Sequence, residues 1–249
     1  MIRSRRRAPA PWHTSLILLV SAGCSSSNAS TSTAGVPDAG APNAPAEAGA
    51  AVEDSGALPQ KYMPAGYTQV PYLSATPVRK FAKAEQVVDS ARDYVAVLDT
   101  AVGPIVLDLF EKDAPVTTNS FVFLALNHFH EETLFHRVIE GFMAQGGDPN
   151  TVAGKPATWG TGGCGYTFGL ELKANLSFDG AGVLGQARAA SPDSNGSQFF
   201  ITLVARKDLD QKYTVWGKVT EGLDLLPKIA RGEPPAAPTK ITEVRVGVK

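Results

Sequence analysis

Sulfur is scarce in this chain: two cysteines in 249 residues, Cys24 and Cys164, and three methionines. With Cys24 assigned to lipid directly after the leader discussed next, only Cys164 is left unmodified, so an internal disulfide framework is excluded. Basic blocks are missing after the first seven residues and the formal net charge is −1, which removes the electrostatic footprint that nucleic-acid binding needs. No apolar run approaches the roughly 20 residues that cross a bilayer. There is no internal repeat.

What is present begins with a leader. Arg3, Arg5, Arg6 and Arg7 precede a short apolar run, LILLV, and the small residues Ser21, Ala22 and Gly23 stand before Cys24. A basic start, an apolar centre and small residues at the cut describe a secretory signal over 1–23. Cys24 directly after Ala-Gly resembles a bacterial lipobox, although leucine is more usual where Ser21 stands. Lipid on Cys24, a membrane partner through that anchor, and a periplasm-facing place on the inner or outer membrane of a bacterial cell envelope are the expectations. Cleavage would take away four arginines and no acid, moving the formal charge from −1 to −5. Residues 24–60 are Ser, Ala, Gly and Pro with few large apolar side chains, too little to offset chain entropy, and read as a disordered tether. Aromatics return over 61–92 (Tyr62, Tyr67, Tyr72, Phe81), an extension with the means to pack on the domain.

Residues 93–249 have the size of one domain. DYVAVLDTAVGPIVLDLF reads as two strands about a Gly103-Pro104 turn, with Ile105, Leu107 and Leu109 alternating with Val106, Asp108 and Phe110 at period two. Asp113 followed by Pro115 reads as an N-cap and first helical turn, opening a helix through Phe121, Leu124 and Ala125. FHRVI and FMAQGG are short strands, as are QFFITLV, YTVWGKV and ITEVRVGV. Leu223, Leu226, Ile229 and Ala230 make a helical stripe, with Pro227 awkward inside it. The expected fold class is mainly β: a closed antiparallel barrel capped by two helices.

The segment FHRVIEGFMAQGGDP, 135–149, holds no Ser or Cys nucleophile. If its two strands are neighbours, Arg137 stands beside Met143 and Gln145 with Phe142 at the bend, an apolar pocket rimmed by one guanidinium and one amide. A barrel core with Arg137 as a surface charge fits this stretch equally well. The pocket reading suits a reaction that breaks no covalent bond, and rotation about an X-Pro bond is such a reaction.

FHRVIEGFMAQGGDP, SNGSQFFITLV and YTVWGKVTEGLDLL, in that order, resemble the cyclophilin family of peptidyl-prolyl isomerases over residues 94–249. The resemblance implies an eight-stranded closed antiparallel barrel with two capping helices, no cofactor or metal, and proline-containing polypeptides as partners of a monomer. It implies Arg137 as the catalytic arginine, Phe142, Met143 and Phe200 as the proline pocket, and Gln145 as a bond to the substrate backbone. GVLGQARAASPDSNGSQFF places Ala187 and Arg188 along the groove, with Arg188 where eukaryotic members carry asparagine. GTGGCGYTF, 160–168, matches a Gly-rich loop beside the neighbouring subsite. Leu209 keeps an apolar contact, Tyr213 replaces a histidine, and Asp208 falls where many members carry a tryptophan associated with cyclosporin, so weak cyclosporin binding is expected. The function implied is peptidyl-prolyl isomerisation during folding of envelope proteins. A chaperone-like binder of Pro-peptides with incidental catalysis, or a scaffold lipoprotein, are the alternatives.

Other chemistries fit less well. GTGGCG lacks the strand before and helix after that a dinucleotide fingerprint requires. His128, His130 and His136 match no metal-ligand spacing.

Overall fold

The computed structural model describes residues 62–249. The leader at 1–23, Cys24 and the tether to residue 60 lie outside the described residues. Nine strands form one antiparallel sheet: β1 Thr68–Gln69, β2 Tyr94–Thr100, β3 Gly103–Leu109, β4 Arg137–Ile139, β5 Met143–Gly146, β6 Val183–Gln186, β7 Phe199–Thr202, β8 Val215–Glu221 and β9 Ile241–Val248. Their order is β1-β9-β2-β3-β8-β6-β7-β5-β4. One long helix, α1 (Pro115–Leu126), packs on the sheet, and a four-residue helix, α2 (Asn150–Ala153), follows β5.

Several expectations need correction. The closed eight-stranded barrel is replaced by nine strands whose ladder stays open between β4 and β1. Across from β4 run only isolated bridges, Leu134 to Lys240 and Val138 to Gly232. The facing segment carries Pro234, Pro235 and Pro238, which have no N–H to give a ladder. The second capping helix is a 3-10 segment, Leu223–Lys228, because Pro227 inside it cannot donate to an α-helical ladder. The β2–β3 reversal falls at Ala101 and Val102, with Gly103 already paired to Thr100. Pro104 is tolerated because β8 first pairs at Val106.

Asp113 does not cap α1. Ala114 holds that position without a side-chain bond. The free N–H groups of the first turn are taken up from a distance: the Glu171 carboxylate accepts from Val116 and Thr117 at 2.9 and 2.7 Å, and from the Thr117 hydroxyl. An anion at a helix N-terminus is favourable on dipole grounds as well.

From Thr117 onward every residue of α1 is buried. One side faces the sheet, where Phe121 meets Trp216 and Phe199. The other is covered by residues 62–92. Asn119 accepts the N–H groups of Val87 and Val88 and donates to the Glu85 carbonyl. Phe81 stands edge-on to Phe123 at 4.8 Å, and Arg79 donates to the carbonyls of Phe129 and Glu131 beyond the helix end. A helix buried all round needs cover on both sides, and the N-terminal strap supplies the second. The strap also adds β1 to β9 and places the Tyr62 carbonyl on Arg245. Arg245 is 2% exposed and survives burial because the Asp99 carboxylate takes its Nε and Nη2 at 3.0 and 2.6 Å.

His130 sits in the core between Phe121, Phe129 and Phe199 with neither ring nitrogen bonded. Burial, helped by Arg79, pushes its pKa down to about 3. The unfolded chain therefore binds a proton that the folded chain refuses between about 6.5 and about 3, and stability falls as pH drops through that window. His130→Phe is expected to flatten part of this acid loss while leaving neutral-pH stability nearly unchanged; urea melts at pH 7, 5.5 and 4 check it.

Candidate active site

The register of five strands builds the site. Arg137 of β4 lies opposite Gln145 of β5, Gln145 opposite Phe200 of β7, Phe200 opposite Gly185 of β6, and Gly185 opposite Val215 of β8. Directly opposed residues project on the same face, so guanidinium, amide and ring form one transverse row. Met143, two residues before Gln145, shares that face. The row opens on a cavity of about 120 Å³ lined by Arg137, Phe142, Met143, Gln145, Ala187, Arg188, Phe200, Leu209 and Tyr213. The nine residues named from the sequence motifs are thus brought to one place.

The floor is apolar and tightly held. Met143, Phe200 and Leu209 are buried. Phe178 stacks on Phe200 with centroids 5.5 Å apart, and Tyr213 meets that ring edge-on at 5.8 Å. Gly185 is indispensable here: a Cβ on it would stand 2.0 Å from the tip of the Phe200 ring. The absent side chain is the space the ring occupies.

The rim is polar. Arg137 is partly exposed, and its Nε donates to Glu233 at 2.8 Å. No other hydrogen bond of Arg137 occurs among the described residues, so both Nη groups are free. Arg206 lies over the Phe142 ring at 3.9 Å and grips Asp208 through two bonds, at 2.8 and 2.7 Å. Asp208, the position expected to carry an indole in many relatives, thus fastens a cation onto the pocket's aromatic edge. That pair holds the Asp208 carboxyl below its usual range.

A second cavity of about 490 Å³ adjoins the first, and Gln145, Ala187 and Arg188 line both. Its wall is the loop from Gly160 to Gly163 with Tyr166 and Thr167. Gln145 donates to Gln198 at 2.9 Å, and Gln198 donates on to the carbonyls of Gly160 and Gly162. Underneath, the buried Asp148 carboxylate accepts the N–H groups of Asn150, Gly160 and Gly162. Gly162 has to be glycine, since a Cβ there would fall 2.0 Å from Asp148 Oδ1.

Glu233, Gly185, Gln198 and Arg206 escaped sequence reasoning. Glu233 is 96 positions from Arg137 and carries no local signal. Arg206 and Asp208, two apart with opposite charge, were the one visible cue. The histidines serve separate ends: His128 bonds Glu131 and the Ser74 carbonyl, His130 is core, and burial keeps His136 below its ordinary pKa against the pull of Asp148. Among the described residues no group of three or more His, Cys, Asp or Glu side chains is placed to hold a metal ion.

Comparison with known proteins agrees with this geometry. The family profile "Cyclophilin type peptidyl-prolyl cis-trans isomerase/CLD" matches residues 95–246. Peptidyl-prolyl cis-trans isomerase-like 1 of Mus musculus is 40% identical over 152 residues, covering 60% of this chain and 87% of that protein. The crystal structure of a Cryptosporidium parvum cyclophilin type isomerase is similar with a TM-score of 0.56 and 29% identity, over 62% of this chain and 97% of that one. The same kind of protein from C. parvum, solved in the presence of the dipeptide Ala-Pro, gives a TM-score of 0.55 and 30% identity over 60% of this chain and 96% of that one.

Gly185→Ala is expected to push the Phe200 ring into the pocket and to destabilise the fold by about 1–3 kcal/mol through overpacking. A thermal melt reads the destabilisation; titration with a proline tetrapeptide, expected to weaken at least tenfold, reads the displaced ring.

Proposed function

The chain belongs to the cyclophilin-type peptidyl-prolyl cis-trans isomerase family and is an enzyme of that class, and on that premise we propose that Arg137 is its catalytic group and that its clients are proteins of a bacterial cell envelope, to which Cys24 anchors it. The observation that carries the catalytic reading is the free pair of Nη groups on Arg137 above an apolar floor, with only Nε spent on Glu233.

Rotation about an X-Pro bond is opposed by about 18–20 kcal/mol of amide resonance. As the amide twists, the lone pair of the prolyl nitrogen localises and becomes an acceptor. A guanidinium N–H aimed there gains a bond that the planar ground state cannot offer, which is the differential binding that speeds a reaction. Guanidinium stays charged at all relevant pH. The ring of the proline rests on Met143, Phe200 and Leu209. Glu233 holds the guanidinium plane, and the Gln145 amide, fixed through its nitrogen by Gln198, offers its oxygen to a substrate N–H. The relative crystallised in the presence of Ala-Pro supports a proline-containing substrate.

Arg137→Ala is expected to lower kcat/KM on a proline tetrapeptide by about 10²–10³ with an unchanged circular dichroism spectrum. Arg137→Lys should recover little, because a point charge lacks the planar fork. Wild-type turnover in either variant would remove Arg137 from the mechanism.

The envelope reading rests on the leader and on Cys24 directly after Ala22 and Gly23. One acyl chain binds a membrane only marginally, so firm attachment takes more than one. Growth of expressing bacteria with a fatty-acid analogue is expected to label the wild type and to leave Cys24→Ala unlabelled; label on both, or on neither, rejects the anchor.

A further inference from the structure

The two cavities meet at Arg188, and the charges around that junction are one-sided. Of all residues lining either cavity, only Arg137 and Arg188 carry charge, and both are cations. Arg137 is answered by Glu233. Arg188 has no ion-pair partner among the described residues. Its Nε and Nη2 donate to the Lys212 carbonyl at 3.2 and 2.9 Å, and its Nη1 to the carbonyls of Ala189 and Ala190 at 2.9 and 3.2 Å. Its guanidinium rests 4.8 Å from the centroid of the Tyr213 ring.

Those contacts fix the group in place without cancelling its charge, and of five N–H groups one on Nη2 is uncommitted. Two acids of the neighbouring chain are spent elsewhere: Asp208 is held by Arg206, and Asp210 takes the Ser177 hydroxyl and the Phe178 N–H, while Asp193 makes no ion pair with Arg188. The nearby Lys212 ammonium, bonded to the Asp208 carbonyl, adds a further positive charge.

We propose that Arg188 makes this isomerase selective for an acidic residue beside the prolyl bond: a Glu or Asp one or two positions from the proline, its carboxylate set against Arg188 where the cavities join. This deepens the proposed function and rests on the first cavity being the proline site. A carboxylate there meets a preplaced cation whose ordering cost has already been met by backbone carbonyls and Tyr213. A lysine at the same position meets repulsion. For a partly exposed pair each effect is worth about threefold, giving roughly tenfold between the two peptides.

The test is a set of proline tetrapeptides differing only in Glu, Ala or Lys at the two positions before proline, measured for kcat/KM and, by titration, for Kd. The wild type is expected to favour Glu over Lys about tenfold at low salt, falling toward unity at 1 M salt, where screening acts within about 3 Å. Arg188→Gln should bring the Glu/Lys ratio to near one whatever its overall rate, and Arg188→Lys should keep part of it. A wild-type ratio below about two, or an unchanged ratio in Arg188→Gln, overturns the proposal. If no peptide turns over, Ala included, the catalytic reading fails instead, and the Kd ratio still decides the role of Arg188.

Discussion

The pairing of Gln145 with Arg137 on one side and with Phe200 on the other governs the groove. It sets a charged, an amide and an aromatic side chain in one row across three strands, all on the same face. Side chains alternate with period two, so a one-residue slip of β4 would turn Arg137 away from the floor and bring His136 or Val138 to its place. Both of those are buried, which penalises such a slip from the opposite face too. Burial of one face thus fixes the position of a functional group on the other.

Rigidity around that row is bought with groups that never touch a substrate. Asp148 accepts the N–H groups of Gly160 and Gly162 in the Gly-rich loop and of Asn150 at the start of α2, and Gln198 ties the loop's carbonyls back to Gln145. A buried carboxylate is costly when unpaired and inexpensive when several donors surround it. The loop that walls the second cavity is therefore held by the same bond network that orients the amide of the first. From the outer side, the strap residue Phe81 donates its N–H to the Cys164 carbonyl at 2.8 Å, bracing the far end of that loop.

The strap also explains how so apolar a helix as α1 is accommodated. A helix buried on every side needs a wall on each, and the sheet, met through Phe121 against Trp216 and Phe199, offers it only one. Residues 62–92 form the other wall, satisfying their own N–H groups on Asn119 as they pass. Electrostatics follows the same economy at Arg245, where Asp99 and the Tyr62 carbonyl together make a buried cation tolerable.

Much of this was legible in the residues themselves. The alternation in 105–110, the Pro115 start and the FHRVI/FMAQGG pair marked strands and helix, and the motifs picked out Arg137, Phe142, Met143, Gln145, Ala187, Arg188, Phe200, Leu209 and Tyr213, which line one cavity. Those features are local, set by side-chain period and turn residues within a few positions. What needed three dimensions was long-range. Glu233 on Arg137, Glu171 capping α1, and Asp148 under the Gly-rich loop join positions 96, 54 and 12 apart. The open ladder beside β4 and the 3-10 form of Leu223–Lys228 were decided by prolines whose missing N–H matters only against a particular neighbour. Sequence by itself determined which side chains could serve the chemistry; tertiary structure decided which carboxylates would hold them, because an ion pair depends on distance in space and leaves no period along the chain.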